Sequence, residues 1–142
     1  MRKLGLVLAG LTPFLFGGIQ NWAMMKYMDA VMPFKLIGAG FLLLWLCFAL
    51  ALGTDWEKQT VFLLNLPAFV VLLLIFVQEV ILSAYWRNAA GMWTQLFFLP
   101  LLHTGFALTS WTHSVFPAYA ASFALMVCAS CLGCLLQRKI RK

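Results

Sequence analysis

Long apolar runs alternate with short polar breaks along this chain. The runs cover residues 4–25, 31–53, 60–86, 92–111 and 115–137. Each is near the roughly 20 mostly apolar residues that a membrane-spanning helix needs. The breaks are a turn from Asp29 to Pro33, the polar loop TDWEKQ from Thr54 to Gln59, the pair Arg87–Asn88, and the turn SWTHS ending at Ser114. This pattern predicts an all-α fold: a polytopic integral membrane helix bundle forming a single domain over residues 1–142.

Five transmembrane helices are the favoured count. The alternative is four spans plus a re-entrant or interfacial segment, because the run 92–111 carries Pro100, His103, Thr104 and Gly105. Two features favour its crossing. From Asn88 to Gln137 the chain holds no Asp, Glu, Lys or Arg. Trp93 and Trp111 would stand about 27 Å apart on a helix, close to the roughly 30 Å hydrocarbon thickness, and Trp favours both membrane interfaces. Within the other runs, Pro13 is expected to kink the first helix, and Thr60 is a plausible N-cap for the third. Gly5, Gly10, Gly17 and Gly18 in the first run, and Gly38 and Gly40 in the second, permit close helix contact.

Composition strengthens the membrane reading. Hydrophobic types make up 64% of the 142 residues and charged types 10%, against roughly 25% charged in soluble domains. One core could not hide this much apolar surface. The net charge of +6 comes from basic residues at the termini and loops, which reads as a topology signal and not as a nucleic-acid surface. Arg2 and Lys3 before an apolar run resemble the start of a signal peptide, but no small-residue cleavage site followed by a polar region appears, so the segment is expected to be retained. The expected location is an integral plasma (inner) membrane, multi-pass, with the C-terminus cytoplasmic. Five spans would group Lys26, Lys35, Arg87 and the basic tail on that side. Four spans would bring both termini and Lys58 into the cytoplasm.

Glu79 gives the candidate chemistry. It is the sole acidic residue inside an apolar run, and a carboxylate facing lipid costs about 3 kcal/mol or more. Asn65 lies fourteen positions earlier, four helical turns less about 40°, and so shares its face. Lys35 begins the second run at the same membrane face and is a candidate ion-pair partner, with Arg87 the alternative. Gln20, Asn21 and Gln78 lie near this face as well. The tentative substrate- or ion-binding set is therefore Glu79, Gln78, Asn65, Lys35, Gln20 and Asn21. It points to a small permease or a membrane subunit of a transport complex, in which Glu79 binds a cation or proton. The alternative is a non-transporting accessory or assembly partner of another membrane protein.

Other chemistries are weaker. Cys128, Cys131 and Cys134 form CASCLGC on one predicted helix, where Cys134 has rotated about 120° from Cys128. They read as small packing residues, and no metal is expected. His103 and His113 are placed too unequally to ligate one metal. No nucleophile elbow, zinc-protease motif or phosphate-binding glycine loop occurs, so no catalytic residue, enzyme activity or cofactor is predicted. Expected partners are the lipid bilayer and a homo-oligomer or another membrane protein. These protein partners would use a small-residue face with Ala120, Ala124, Cys128 and Gly133.

Overall fold

The computed structural model describes residues 2–29, 31–53, 57–84 and 89–140, and every regular element among them is helical. Helix α1 is Arg2–Gly10, α2 Thr12–Lys26, α3 Phe34–Leu52, α4 Glu57–Phe76, α5 Ala89–Leu108 and α6 Phe116–Ile140. A π-helical turn, Val77–Ile81, extends α4. Four helical stretches are long and apolar enough to cross a membrane: Lys3–Lys26, Phe34–Leu52, Lys58–Ile81 and Phe116–Ile140. The helix α5 is not among them. Asp55, Trp86, Arg87 and Asn88 lie outside the described residues.

Proline sets the local form of the first helical stretch. Pro13 has no N–H to offer the carbonyl of Ala9. The hydroxyl of Thr12 donates to that carbonyl instead, at 2.7 Å. The helix is interrupted at Leu11, whose N–H reaches back to the Leu8 carbonyl at 3.1 Å. The third helical stretch begins earlier than Thr60 suggests. Helix α4 starts at Glu57, and Thr60 is fully buried within it, so it is no N-cap.

Antiparallel neighbours build the bundle. Phe16 of α2 packs edge-on against Phe41 of α3, and Phe69 of α4 packs against Phe123 of α6. Helices α3 and α6 run parallel. Near one end Gly133 rests on Leu46 and Ala49, and one turn on Gln137 meets Leu50 and Gly53. The bundle therefore has two ends. The Arg138 end carries the start of α1, the end of α3, the start of α4 and the end of α6. The Lys26 end carries the end of α2, the start of α3, the π turn and the start of α6.

Helix α5 is threaded between the others inside the half nearer the Lys26 end. Its early residue Thr94 meets Gln78 beside the π turn. Further along, Leu96 lies under Gly17, Thr104 under Gly38, and Gly105 against Ala118 and Ser122. Thus α5 leaves the end of α4 and returns to the start of α6 at the same bundle end. That departs from the five-span expectation, which needs those two points at opposite ends. The Trp ruler fails for a local reason: α5 stops at Leu108, so Trp111 sits beyond the helix in the turn. Helices α2, α3 and α6 flank α5.

Glycine makes these approaches possible. A Cβ on Gly17 would overlap the carbonyl of Leu96. That carbonyl also lacks its usual helical donor, because the residue four ahead is Pro100. By contrast, a Cβ on Gly5, Gly18 or Gly40 would meet nothing within 4 Å among the described residues. The core centres on Trp45, Leu64, Ile75, Phe97, Phe98 and Met126, all under 2% exposed. Outside it, Leu4, Leu36, Leu43, Phe62 and Ile140 are each more than 60% exposed, while Asn65, Gln78, Ser122 and Ser130 are buried. Apolar side chains outward and polar ones inward is the distribution expected where lipid is the solvent.

Candidate functional site

The π turn is what aims the candidate residues. Its wider coil is closed by the Leu82 N–H bonding the Val77 carbonyl at 2.9 Å and the Ala84 N–H bonding the Gln78 carbonyl at 2.9 Å. Ser83 follows with φ of 50° and ends the run. Adjacent residues point different ways along such a coil. Gln78 is completely buried and donates through Nε2 to the Thr94 hydroxyl of α5 at 3.2 Å. Glu79 turns to the start of α6.

There its Oε1 accepts three hydrogen bonds: from the Ser114 hydroxyl at 2.8 Å, the Val115 N–H at 2.8 Å and the Phe116 N–H at 2.9 Å. The first N–H groups of a helix have no partner inside it. In α6 the account closes locally. Glu79 takes two of these donors, Pro117 has none, and the Ala118 N–H reaches the Val115 carbonyl at 3.0 Å. A carboxylate at a helix N-terminus also meets the positive end of the macrodipole. Glu79 is thus an N-cap supplied from another helix. The rings of Phe76 and Phe116, 5.3 Å apart, pack beside this contact.

Asn65 serves a second, separate junction. Its Oδ1 accepts from Trp45 Nε1 at 3.2 Å, and its Nδ2 donates to the Ser130 hydroxyl at 2.8 Å and the Val61 carbonyl at 2.9 Å. One side chain therefore ties α3, α4 and α6 together. Asn65 and Glu79 both face α6, but about 21 Å of helix separates them, so they do not form one site.

The remaining expected members are dispersed. Lys35 is exposed and, among the described residues, makes no ion pair, so it does not neutralise Glu79. Asn21 is half-buried, its Nδ2 3.6 Å from Met25 Sδ. Gln20 is 7% exposed, and its Oε1 has no hydrogen-bond partner among the described residues. It lines a 370 Å³ cavity between α2 and α3, with Phe41, Ile37 and Pro100. His103 stacks on Phe34. No three residues of His, Cys, Asp or Glu converge among the described residues.

Reading the sequence missed several groups. Ser114 completes the Glu79 contact, and its signal was its place just before the proline-marked start of α6. Gln137 caps α3, donating to the Leu50 and Gly53 carbonyls at 2.9 and 3.2 Å. An amide in the last turn of an otherwise apolar run was the available clue. The small-residue face also divides. Ala124 and Cys128 point outward, whereas Gly133 is buried against α3 and is not available to a partner.

A larger groove runs along the outside between α4 and α6. Its volume is 690 Å³, and Val61, Phe62 and Phe69 form one wall while Phe123, Val127 and Cys131 form the other. Lys58 stands at its Arg138 end. No protein-family model, curated protein or solved structure matches the chain.

Proposed function

We propose that this protein is a four-span integral membrane protein with a non-transporting, accessory role, assembling with other membrane components. The four spans are Lys3–Lys26, Phe34–Leu52, Lys58–Ile81 and Phe116–Ile140, and α5 is held within one half of the bundle. The start of α1 and the end of α6 then lie on one side, together with Lys3, Lys58, Arg138 and Lys139. Lys26 and Lys35 lie on the other. The basic excess assigns the termini to the cytoplasm, and the plasma (inner) membrane is the location that this orientation rule describes.

A single observation carries the accessory reading. The Glu79 carboxylate is engaged by the start of α6, through two backbone N–H groups and a hydroxyl. A carboxylate spent on helix capping is not free to exchange a cation without uncapping α6. Asn65 is likewise committed to three helices. One feature favours the permease reading instead: Gln78 and Glu79 sit in a π turn, a geometry frequent at functional sites.

Glu79→Gln separates the two readings. The amide keeps an acceptor oxygen but loses the charge. Under the accessory reading, the variant complements a gene deletion while melting at lower temperature. A folded, inserted variant that fails to complement would establish the permease reading. Orientation is tested with Met28→Cys, since Met28 is 85% exposed at the Lys26 end. In a background lacking Cys47, Cys128 and Cys131, an impermeant maleimide should label it from outside the cell. Labelling only after permeabilisation would overturn this orientation.

A further inference from the structure

We propose that the groove between α4 and α6 is a binding site for an anionic phospholipid, with the headgroup at Lys58 and an acyl chain along the groove. The shape and the chemistry agree. The lining positions of α4 fall at Lys58, Val61, Phe62, Asn65, Leu66 and Phe69, one continuous stripe of an α-helix. From Lys58 to Phe69 this stripe runs about 16 Å. The α6 wall is a matching stripe that ends, at the Lys58 side, at Cys134 and Leu135. The contact between the Phe69 and Phe123 rings closes the far end of the groove.

The polar groups are distributed as an amphiphile requires. Among the described residues, Asn65 is the one polar side chain along the interior of the groove, and its amide is already bonded to Trp45, Val61 and Ser130. The interior therefore offers an apolar surface. At the mouth, Lys58 is exposed and has no ion-pair partner among the described residues. Arg138 follows Cys134 by one helical turn, on the side of α6 that bears this wall. A cation above an apolar slot is complementary to a phosphate carrying a hydrocarbon tail. A second helix could fill the slot as well, but would need a carboxylate of its own at the level of Lys58. Basic pockets between spanning helices on the cytoplasmic side bind anionic headgroups in this manner. The four-span orientation proposed above decides only which leaflet supplies the lipid. The binding itself is measured in detergent and does not depend on it.

The experiment uses the full chain, purified in a mild non-ionic detergent and titrated with phosphatidylglycerol or phosphatidylcholine. Two readouts are followed: the melting temperature, and the rate at which a maleimide labels Cys131 when Cys47 and Cys128 are replaced by Ala. Cys131 is exposed and lines the groove. Phosphatidylglycerol should raise the melting temperature and protect Cys131 at lower concentration than phosphatidylcholine. Lys58→Gln should weaken the phosphatidylglycerol effect about five-fold, the worth of one basic residue beside an anionic surface. Val127→Trp should fill the slot and abolish protection by both lipids. Equal effects of the two lipids, or an undiminished phosphatidylglycerol preference in Lys58→Gln, would overturn the proposal. So would protection of Cys131 without added lipid that rises with protein concentration alongside a dimer mass, since a second copy would then occupy the groove.

Discussion

Removing the Glu79 carboxylate tests how α6 is held in place. Glu79→Ala deletes the acceptor of three hydrogen bonds, two of them from the part-buried N–H groups of Val115 and Phe116. Loss of a helix N-cap costs about 1 kcal/mol and up to about 2. Leaving a buried donor unsatisfied costs about 1–3 kcal/mol. Part of the cost is recovered, because the site lies at a bundle end where solvent can approach. The expected loss for Glu79→Ala is therefore about 2–3 kcal/mol. Glu79→Gln keeps a neutral acceptor and loses the charge, so it should cost about 1 kcal/mol. Ser114→Ala removes one donor of the three and should also cost about 1 kcal/mol. In a Glu79→Ala background, Ser114→Ala should cost almost nothing, because its partner is already gone. On the scale of soluble domains, 1 kcal/mol shifts the midpoint by about 4 °C for a chain of this length. Thermal melts in detergent of the three single variants and the double would measure the series. If Glu79→Ala melts with the parent, or if the Ser114 and Glu79 effects add fully, the carboxylate does not cap α6.

Three other outcomes follow from packing and hydrogen bonding. Gly17→Ala places a methyl group on the Leu96 carbonyl and should cost about 1–3 kcal/mol by overpacking, whereas Gly18→Ala, with open space beside it, should melt within a degree or two of the parent. Asn65→Leu removes the acceptor for Trp45 Nε1 and should cost about 1–3 kcal/mol. Trp45→Phe should be less harmful in that background than in the parent, read from the same melts as a double-mutant cycle. Gln137→Leu uncaps the end of α3 by freeing the Leu50 and Gly53 carbonyls. It should speed hydrogen exchange in the last turn of α3, near Leu52, and leave exchange near Phe41 unchanged, as followed by mass spectrometry.

Hydrophobic patterning by itself determined the helical class and most helix limits. The run 31–53 became α3 over Phe34–Leu52, and the run 115–137 became α6 over Phe116–Ile140. Both are bounded by charge, Gly or Pro, which act locally, so their ends are legible in the sequence. The interruption near Pro13 was legible for the same reason, since a missing N–H acts on the carbonyl four residues earlier. Glu79 and Asn65 could also be recognised as turned inward, because the lipid penalty applies whatever their partners are. The partners themselves could not be read. The Glu79 acceptor meets donors 35 to 37 residues away, and Asn65 meets Ser130 across 65. No periodicity encodes such pairings. Only the tertiary structure decided that Glu79 caps α6 and leaves Lys35 aside, and that Gly133 serves an internal crossing. It alone decided the course of α5. Length and hydropathy say how far a helix can reach. Its direction comes from the neighbours that accept it: Gly17, Gly38 and Gly105 let α5 lie close among α2, α3 and α6, so that it begins and ends in the same half of the bundle.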